Sequence, residues 1–110
     1  MKAALPLGRM RHRLTIEAPV DTTDDNGGVA RSFVDAGALW AAIETIGRRR
    51  QFLAERPEQS ITHHVLFRRR EGLTGDFVLR KGARRFRVLA IEDLDTAGRA
   101  QRALCEEIKP

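Results

Sequence analysis

Enzymatic chemistry in a chain of this kind would require a nucleophile with a base, a pair of carboxylates, or a cluster of metal ligands. The side chains with that capacity are His12, His63, His64, Cys105 and the acidic group Glu92, Asp93 and Asp95. His63 and His64 are adjacent, and on a strand adjacent side chains point to opposite faces, so the pair cannot ligate one metal without a bulge. A zinc site drawn from His12, one of that pair and Cys105 has suitable ligand types but none of the usual ligand spacing. Packed or solvated imidazoles and a buried thiol are the plainer reading. Glu92, Asp93 and Asp95 fall where a strand passes into a loop with Thr96 and Gly98, a setting in which carboxylates more often solvate a turn than exchange protons. No serine sits in a nucleophile elbow, and no Gly-rich phosphate loop is present. The expectation is a protein that is not an enzyme, with no cofactor and no metal.

Charge is the second chemical resource. The 110 residues hold 20 Lys plus Arg against 15 Asp plus Glu, a formal charge of +5, and 17 of the basic residues are arginine. Arginine offers a planar fork suited to carboxylate and phosphate, whereas lysine offers a mobile point charge. A GC-rich genome accounts for the bias as readily as a functional demand does. Three clusters stand out: Arg48, Arg49 and Arg50; Arg68, Arg69 and Arg70; and Arg84, Arg85 and Arg87. Clustered arginine is the footprint that phosphate contacts require. Single-strand binders add exposed aromatic platforms, and here five Phe, one Trp and no Tyr fall mostly in apolar stretches that read as core. Nonspecific contact with duplex DNA stays open, and arginines that meet acidic faces of neighbouring subunits are the preferred reading.

The elements that must position these groups are strands. His12, Leu14, Ile16, Ala18 and Val20 alternate with Arg11, Arg13, Thr15, Glu17 and Pro19, which is the period of a half-buried strand. Asp21 to Gly28 reads as a hairpin loop built on Asn26-Gly27. Val29 to Val34 resumes as a strand, Asp35 to Gly37 interrupts it, and Leu39 to Ile43 reads as a buried strand. Further strands are expected at Ile61 to Arg70, Phe77 to Arg80, Phe86 to Ile91 and Arg99 to Ile108. Seven short strands at near-regular spacing predict a single-domain, all-β chain over residues 1–110, a small β-barrel or sandwich with one long loop, of which the barrel is the expectation carried forward. The single cysteine excludes an internal disulfide and fits a reducing cytoplasm. No apolar run is long enough to span a bilayer, and Ala3 to Leu7 is too short for a signal-peptide core.

The long loop, Gly47 to Gln59, is the most informative segment. Small barrels close their hairpins in a few residues, so a longer excursion calls for a reason. Arg48, Arg49 and Arg50 lie at its base and Gln51, Phe52, Leu53, Glu55 and Arg56 beyond them. Its helix formers and the stop at Pro57 allow a turn or two of helix. Charge flanking two apolar residues suits a projection that reaches a partner or lines a channel, with a solvated loop as the alternative.

The order of these pieces resembles the head-tail joining family of long-tailed phages, the head closure or stopper proteins. The likeness is carried by Met10 to Ile16, by Asn26-Gly27-Gly28 with Phe33, by Leu39 to Glu44, and by Thr62 to Val65 with Phe67-Arg68. It continues through Gly72-Leu73-Thr74, Arg80, Arg85 to Val88, Ile91 with Asp93 and Asp95, and Arg102 with Leu104 to Glu107. It thus runs from Met10 to Ile108. Tyrosines common on the family's later strands are replaced by Phe67 and Phe86. The resemblance implies a homo-oligomeric ring, of six copies in preference to twelve, in the neck of a phage, prophage or gene transfer particle assembled in a bacterial cytoplasm. It implies adaptor and portal proteins on the head side and a tail terminator or tail tube protein on the tail side. The segment matching the family's channel loop is Gly47 to Gln59, which would help retain packaged double-stranded DNA. Arg68, Arg69, Arg70, Arg84, Arg85 and Arg87 then become expected interface residues. A stand-alone, nonspecific nucleic-acid-binding barrel is the alternative.

Overall fold

Alternation decides the architecture. In β1 (His12–Thr23), Leu14 and Ile16 are buried while Arg13 between Leu14 and His12 is exposed, as a strand with one face on a core requires. The computed structural model describes residues 7–50 and 60–109, with the backbone alone at 47–50 and 60. After a short 3-10 turn at Leu7–Arg9 and β1 come β2 (Val29–Arg50), β3 (Ser60–Arg68), β4 (Val78–Lys81), β5 (Arg84–Asp93) and β6 (Ala100–Ile108). All pairings are antiparallel, and the order is β1-β2-β3-β6-β5-β4. The sheet closes on itself because β1 also pairs with β4 through Thr15, Ile16 and Glu17 opposite Arg80, Leu79 and Val78. Closure removes the open edges that a flat sheet would leave.

The described residues hold six strands rather than seven. Val29–Val34 and Leu39–Ile43 belong to one strand, and Asp35 to Gly37 does not break it. Thr15 lies opposite Ala38 and Glu17 opposite Asp35, so Ile16 faces both Ala36 and Gly37, which makes a β-bulge. Gly37 holds φ at +109°, and a Cβ there would stand 2.5 Å from the Arg70 guanidinium. Arg70 donates to the carbonyls of Ala38 at 2.9 Å and Ala36 at 3.3 Å and so fastens the bulge to the end of β3. Glycine supplies both the conformation and the room.

Inward residues from every strand form the core: Leu14, Ile16, Leu39, Ala41, Val65, Phe67, Leu79, Phe86, Val88, Ala103 and Cys105, with Leu73 from the β3–β4 connection. Phe67 and Phe86 are the largest wholly buried side chains, each contributing about 1.5–3 kcal/mol by burial. A smaller cluster of Ile61, Leu89 and Leu104, with Ile46 and Ala90 against it, packs separately. Burial pushes the pKa of the Cys105 thiol up, so the side chain acts as a small apolar filler.

Beyond the closed part, β1 and β2 continue as a two-stranded arm paired from Ala18↔Val34 to Thr23↔Val29. Its turn is fixed by Asp24, whose Oδ1 accepts from the amides of Asn26 at 2.9 Å and Gly28 at 2.7 Å, while Gly27 takes φ +79°. Every residue from Asp21 to Ala36 except Phe33 is exposed. The arm meets the barrel through Phe33, which lies under the Arg85 guanidinium at 5.3 Å, and through Arg31, 3.7 Å from Asp76.

Candidate functional site

The expected channel loop divides at its start. Gly47 to Arg50 belong to β2, not to a loop: Arg49 lies opposite Ile61 and Arg50 opposite Ser60, after a register shift that follows Thr45. The rest of that segment, with Gln51, Phe52, Leu53, Glu55, Arg56 and the expected helical turn, lies outside the described residues. The pairing Arg50↔Ser60 brings the two ends of the 51–59 connection to one place.

The arginines expected at interfaces are largely engaged within the chain. Arg84 grips Glu107 at 2.9 Å and stacks over Phe86 at 4.9 Å. Arg85 lies 3.5 Å from Glu17, which also takes Arg80 at 3.3 Å. Arg87 meets Glu106 at 3.2 Å, and Arg69 meets Glu71 at 3.0 Å. Arg70 holds the bulge carbonyls. Arg102 pairs with Glu92, and Arg31 with Asp21 at 2.7 Å. Exposed pairs of this sort contribute about 0–1 kcal/mol each, so their main effect is to cancel charge. Arg68, by contrast, has no carboxylate partner among the described residues, and neither do Arg11 and Arg13. All three are exposed.

Arg13 and Arg68 share a face with Trp40, which sequence reasoning placed in a buried strand and which is 58% exposed, and Arg11 lies just ahead of β1, two residues before Arg13. Arg13 and Trp40 are register partners across β1 and β2, and Ala41↔Phe67 sets Arg68 next to Trp40 on the other side. Since Leu14, Leu39, Ala41 and Phe67 point inward, this row points outward. The signal was present in the run Leu39-Trp40-Ala41: if its neighbours face the core, period two turns Trp40 outward.

The histidines occupy two settings. His63 is buried and His64 half-buried, on opposite faces of β3. The His63 ring stands edge-on to Phe86, with centroids 5.0 Å apart, Nδ1 2.9 Å from Thr62 Oγ1 and Nε2 3.9 Å from Glu107. Burial lowers its pKa, and the Glu107 charge opposes that shift only in part. His12 Nδ1 lies 2.7 Å from the Lys81 ammonium, and its pKa is lowered by burial first and by Lys81 next. Arg84 holds the Glu107 carboxyl below its ordinary pKa. Together His12, Lys81, Arg84, His63 and Glu107 form a polar set around the β4–β5 turn.

The remaining candidates have structural roles. His63 and Cys105 are cross-strand neighbours, yet the imidazole nitrogens are directed to Thr62, Arg84 and Glu107. Among the described residues no group of three His, Cys, Asp or Glu is placed to hold a metal. Glu92 serves Arg102, Asp93 accepts from Gln101 at 3.4 Å, and Asp95 Oδ1 accepts from the Arg99 amide at 2.9 Å. The last of these closes the β5–β6 turn. The arrangement binds and neutralises charge; what it leaves open is a basic, tryptophan-bearing face and an acidic arm.

A closed antiparallel sheet with charged outer faces and a strand pair running past the closure defines a small all-β module. The sequence matches the phage head completion protein family over residues 5–108, and the chain belongs to that family of structural phage proteins. Among solved structures it is similar to a chain in the virion of a native gene transfer agent particle, with 22% identity, 91% of this chain and 96% of that chain covered, and a TM-score of 0.70. It is also similar to protein SF1141 from Shigella flexneri 2a, solved in solution, with 21% identity, 94% and 96% covered, and a TM-score of 0.68. At these identities the likeness speaks for the fold. No curated protein matches the sequence. Among the described residues no helix is long and apolar enough to cross a membrane.

Proposed function

We propose that this chain is a head closure subunit: copies assemble as a ring in the particle neck, six in preference to twelve, between the portal and adaptor proteins and the tail. Residues 51–59 reach toward the DNA channel and help retain packaged double-stranded DNA. Family membership supports the particle, and the pairing Arg50↔Ser60 supports the projection, because both ends of 51–59 leave from one point on paired strands. A ring multiplies every charge it carries. Arg48, Arg49 and Arg50 from several copies would concentrate positive potential near the axis, where it acts on phosphate without reading sequence.

Replacing Gln51 to Gln59 by an Asn-Gly turn tests the gating role. The barrel is expected to fold unchanged, as the core formed by the described residues is complete without this segment, and filled heads are expected to lose DNA. Heads that stay sealed would contradict it. The alternative, a nucleic-acid binder working alone, requires free guanidinium groups. Arg69, Arg84, Arg85 and Arg87 are occupied by carboxylates, which weighs against it and leaves Arg11, Arg13 and Arg68 as the guanidinium groups such a binder would use. Steeply salt-dependent duplex binding by the isolated chain would favour that alternative.

A further inference from the structure

The charge of this molecule is unevenly placed. The chain as a whole is +5, yet the arm from Asp21 to Ala36 holds four aspartates and one arginine, and that arginine, Arg31, is taken up by Asp21. At the tip, Asp24 is partly engaged with turn amides, whereas Asp25 has no partner among the described residues. Val29 beside it is 70% exposed. The barrel face at Arg11, Arg13, Trp40 and Arg68 is the counterpart: three guanidinium groups without carboxylates around a large exposed apolar ring.

We infer that the acidic tip of the β1–β2 arm of one copy docks on the Arg11, Arg13, Trp40 and Arg68 face of the next copy. This rests on the ring reading above and supplies its subunit contact. The two surfaces cannot meet within one molecule. Arg13 and Asp21 lie on the same strand eight residues apart, about 26 Å at the rise of a strand, and the arm runs away from the face. Two different surfaces that complement each other make a head-to-tail contact, the kind that generates a ring when the rotation closes. Asp24 and Asp25 supply charge to the arginines, and Val29 supplies an apolar group for Trp40. An aromatic anchor ringed by arginine is the composition that protein interfaces favour, whereas duplex phosphate would leave the indole without a role.

The test uses the full chain with p-benzoylphenylalanine in place of Trp40, mixed with isotope-labelled chain, irradiated and mapped by mass spectrometry, with ring formation followed on the same samples by native mass spectrometry. The expected product joins residue 40 of one isotopic form to residues 21–31, within the tryptic peptide Leu14–Arg31, of the other. Asp25→Arg, which adds a tryptic site, should lower the yield of cross-linked dimer, read on the intact protein, about tenfold, as loss and reversal of charge pairs would. Combining Asp25→Arg in one copy with Arg13→Glu and Arg68→Glu in the photoprobe copy should restore it. All three side chains are exposed and unpaired among the described residues, so folding is not at issue. Rings whose cross-links fall outside 21–36, or fall on DNA or a different protein, would overturn the docking and leave the ring reading standing. Absence of any ring would overturn both.

Discussion

Two sets of arginines on one small barrel differ in what they face. On β4, β5 and β6, Arg80, Arg84, Arg85, Arg87 and Arg102 each meet a glutamate of the same chain. Arg13 and Arg68 on the outer face of β1 and β3, and Arg11 just ahead of β1, meet none among the described residues, and Arg13 and Arg68 flank an exposed tryptophan on β2. A net charge counts both sets alike. The first neutralises the carboxylates that cross-strand register places beside it; only the second keeps charge available for another molecule.

The comparison breaks most visibly if burial does not separate the two kinds of aromatic residue. Phe67→Ala should destabilise the isolated chain by about 3–5 kcal/mol in urea unfolding, because it empties a wholly enclosed site. Trp40→Ala should change it by less than about 0.5 kcal/mol. Equal losses would show that Trp40 belongs to the fold and not to a partner. Next in size is Gly37→Ala. A Cβ forced into left-handed backbone against Arg70 should cost about 1–3 kcal/mol, read by the same unfolding curves.

The polar set at the β4–β5 turn sharpens the contrast through pH. His63 and His12 both have folded pKa values below the ordinary 6.5, so the unfolded chain binds protons that the folded chain refuses. Stability should therefore be level above that value and fall as pH drops through and below it. Thermal unfolding between about pH 7.5 and about pH 5.5 should show the decline, and His63→Gln should flatten it. A melting temperature that rises on acidification would contradict the buried, neutral imidazole. The smallest effect separates the arginine sets directly. Arg87→Ala should cost up to about 1 kcal/mol by releasing Glu106, while Arg13→Ala should leave the isolated chain unchanged within about 0.5 kcal/mol.

Local pattern made most of the strands legible. Alternation from His12 to Val20 marks β1, and Asn26-Gly27 marks the hairpin. The strands expected at Phe77 to Arg80 and Phe86 to Ile91 differ from β4 and β5 only by a few terminal residues. The extra strand arose at Asp35 to Gly37, where turn-type residues form a bulge inside a continuous strand; the two look alike until a partner strand sets the register. Ion pairing was hidden for the same reason. Arg84 and Glu107 are 23 positions apart, and only the β5–β6 register brings them together. The strand at Gly47 to Arg50 was obscured because glycine and three arginines carry no alternation, and β3 holds them by backbone pairing.

A ring whose copies contact arm to face is one geometry, open to direct observation. A cryo-electron microscopy map of the particle neck with this chain traced measures it directly. The account predicts a closed ring in which residues 51–59 point toward the axis and the tip at Asp24 and Asp25 of each copy lies over Trp40 of its neighbour. A neck in which Trp40 faces solvent and the arm tips touch nothing, or in which residues 51–59 point away from the axis, would contradict it.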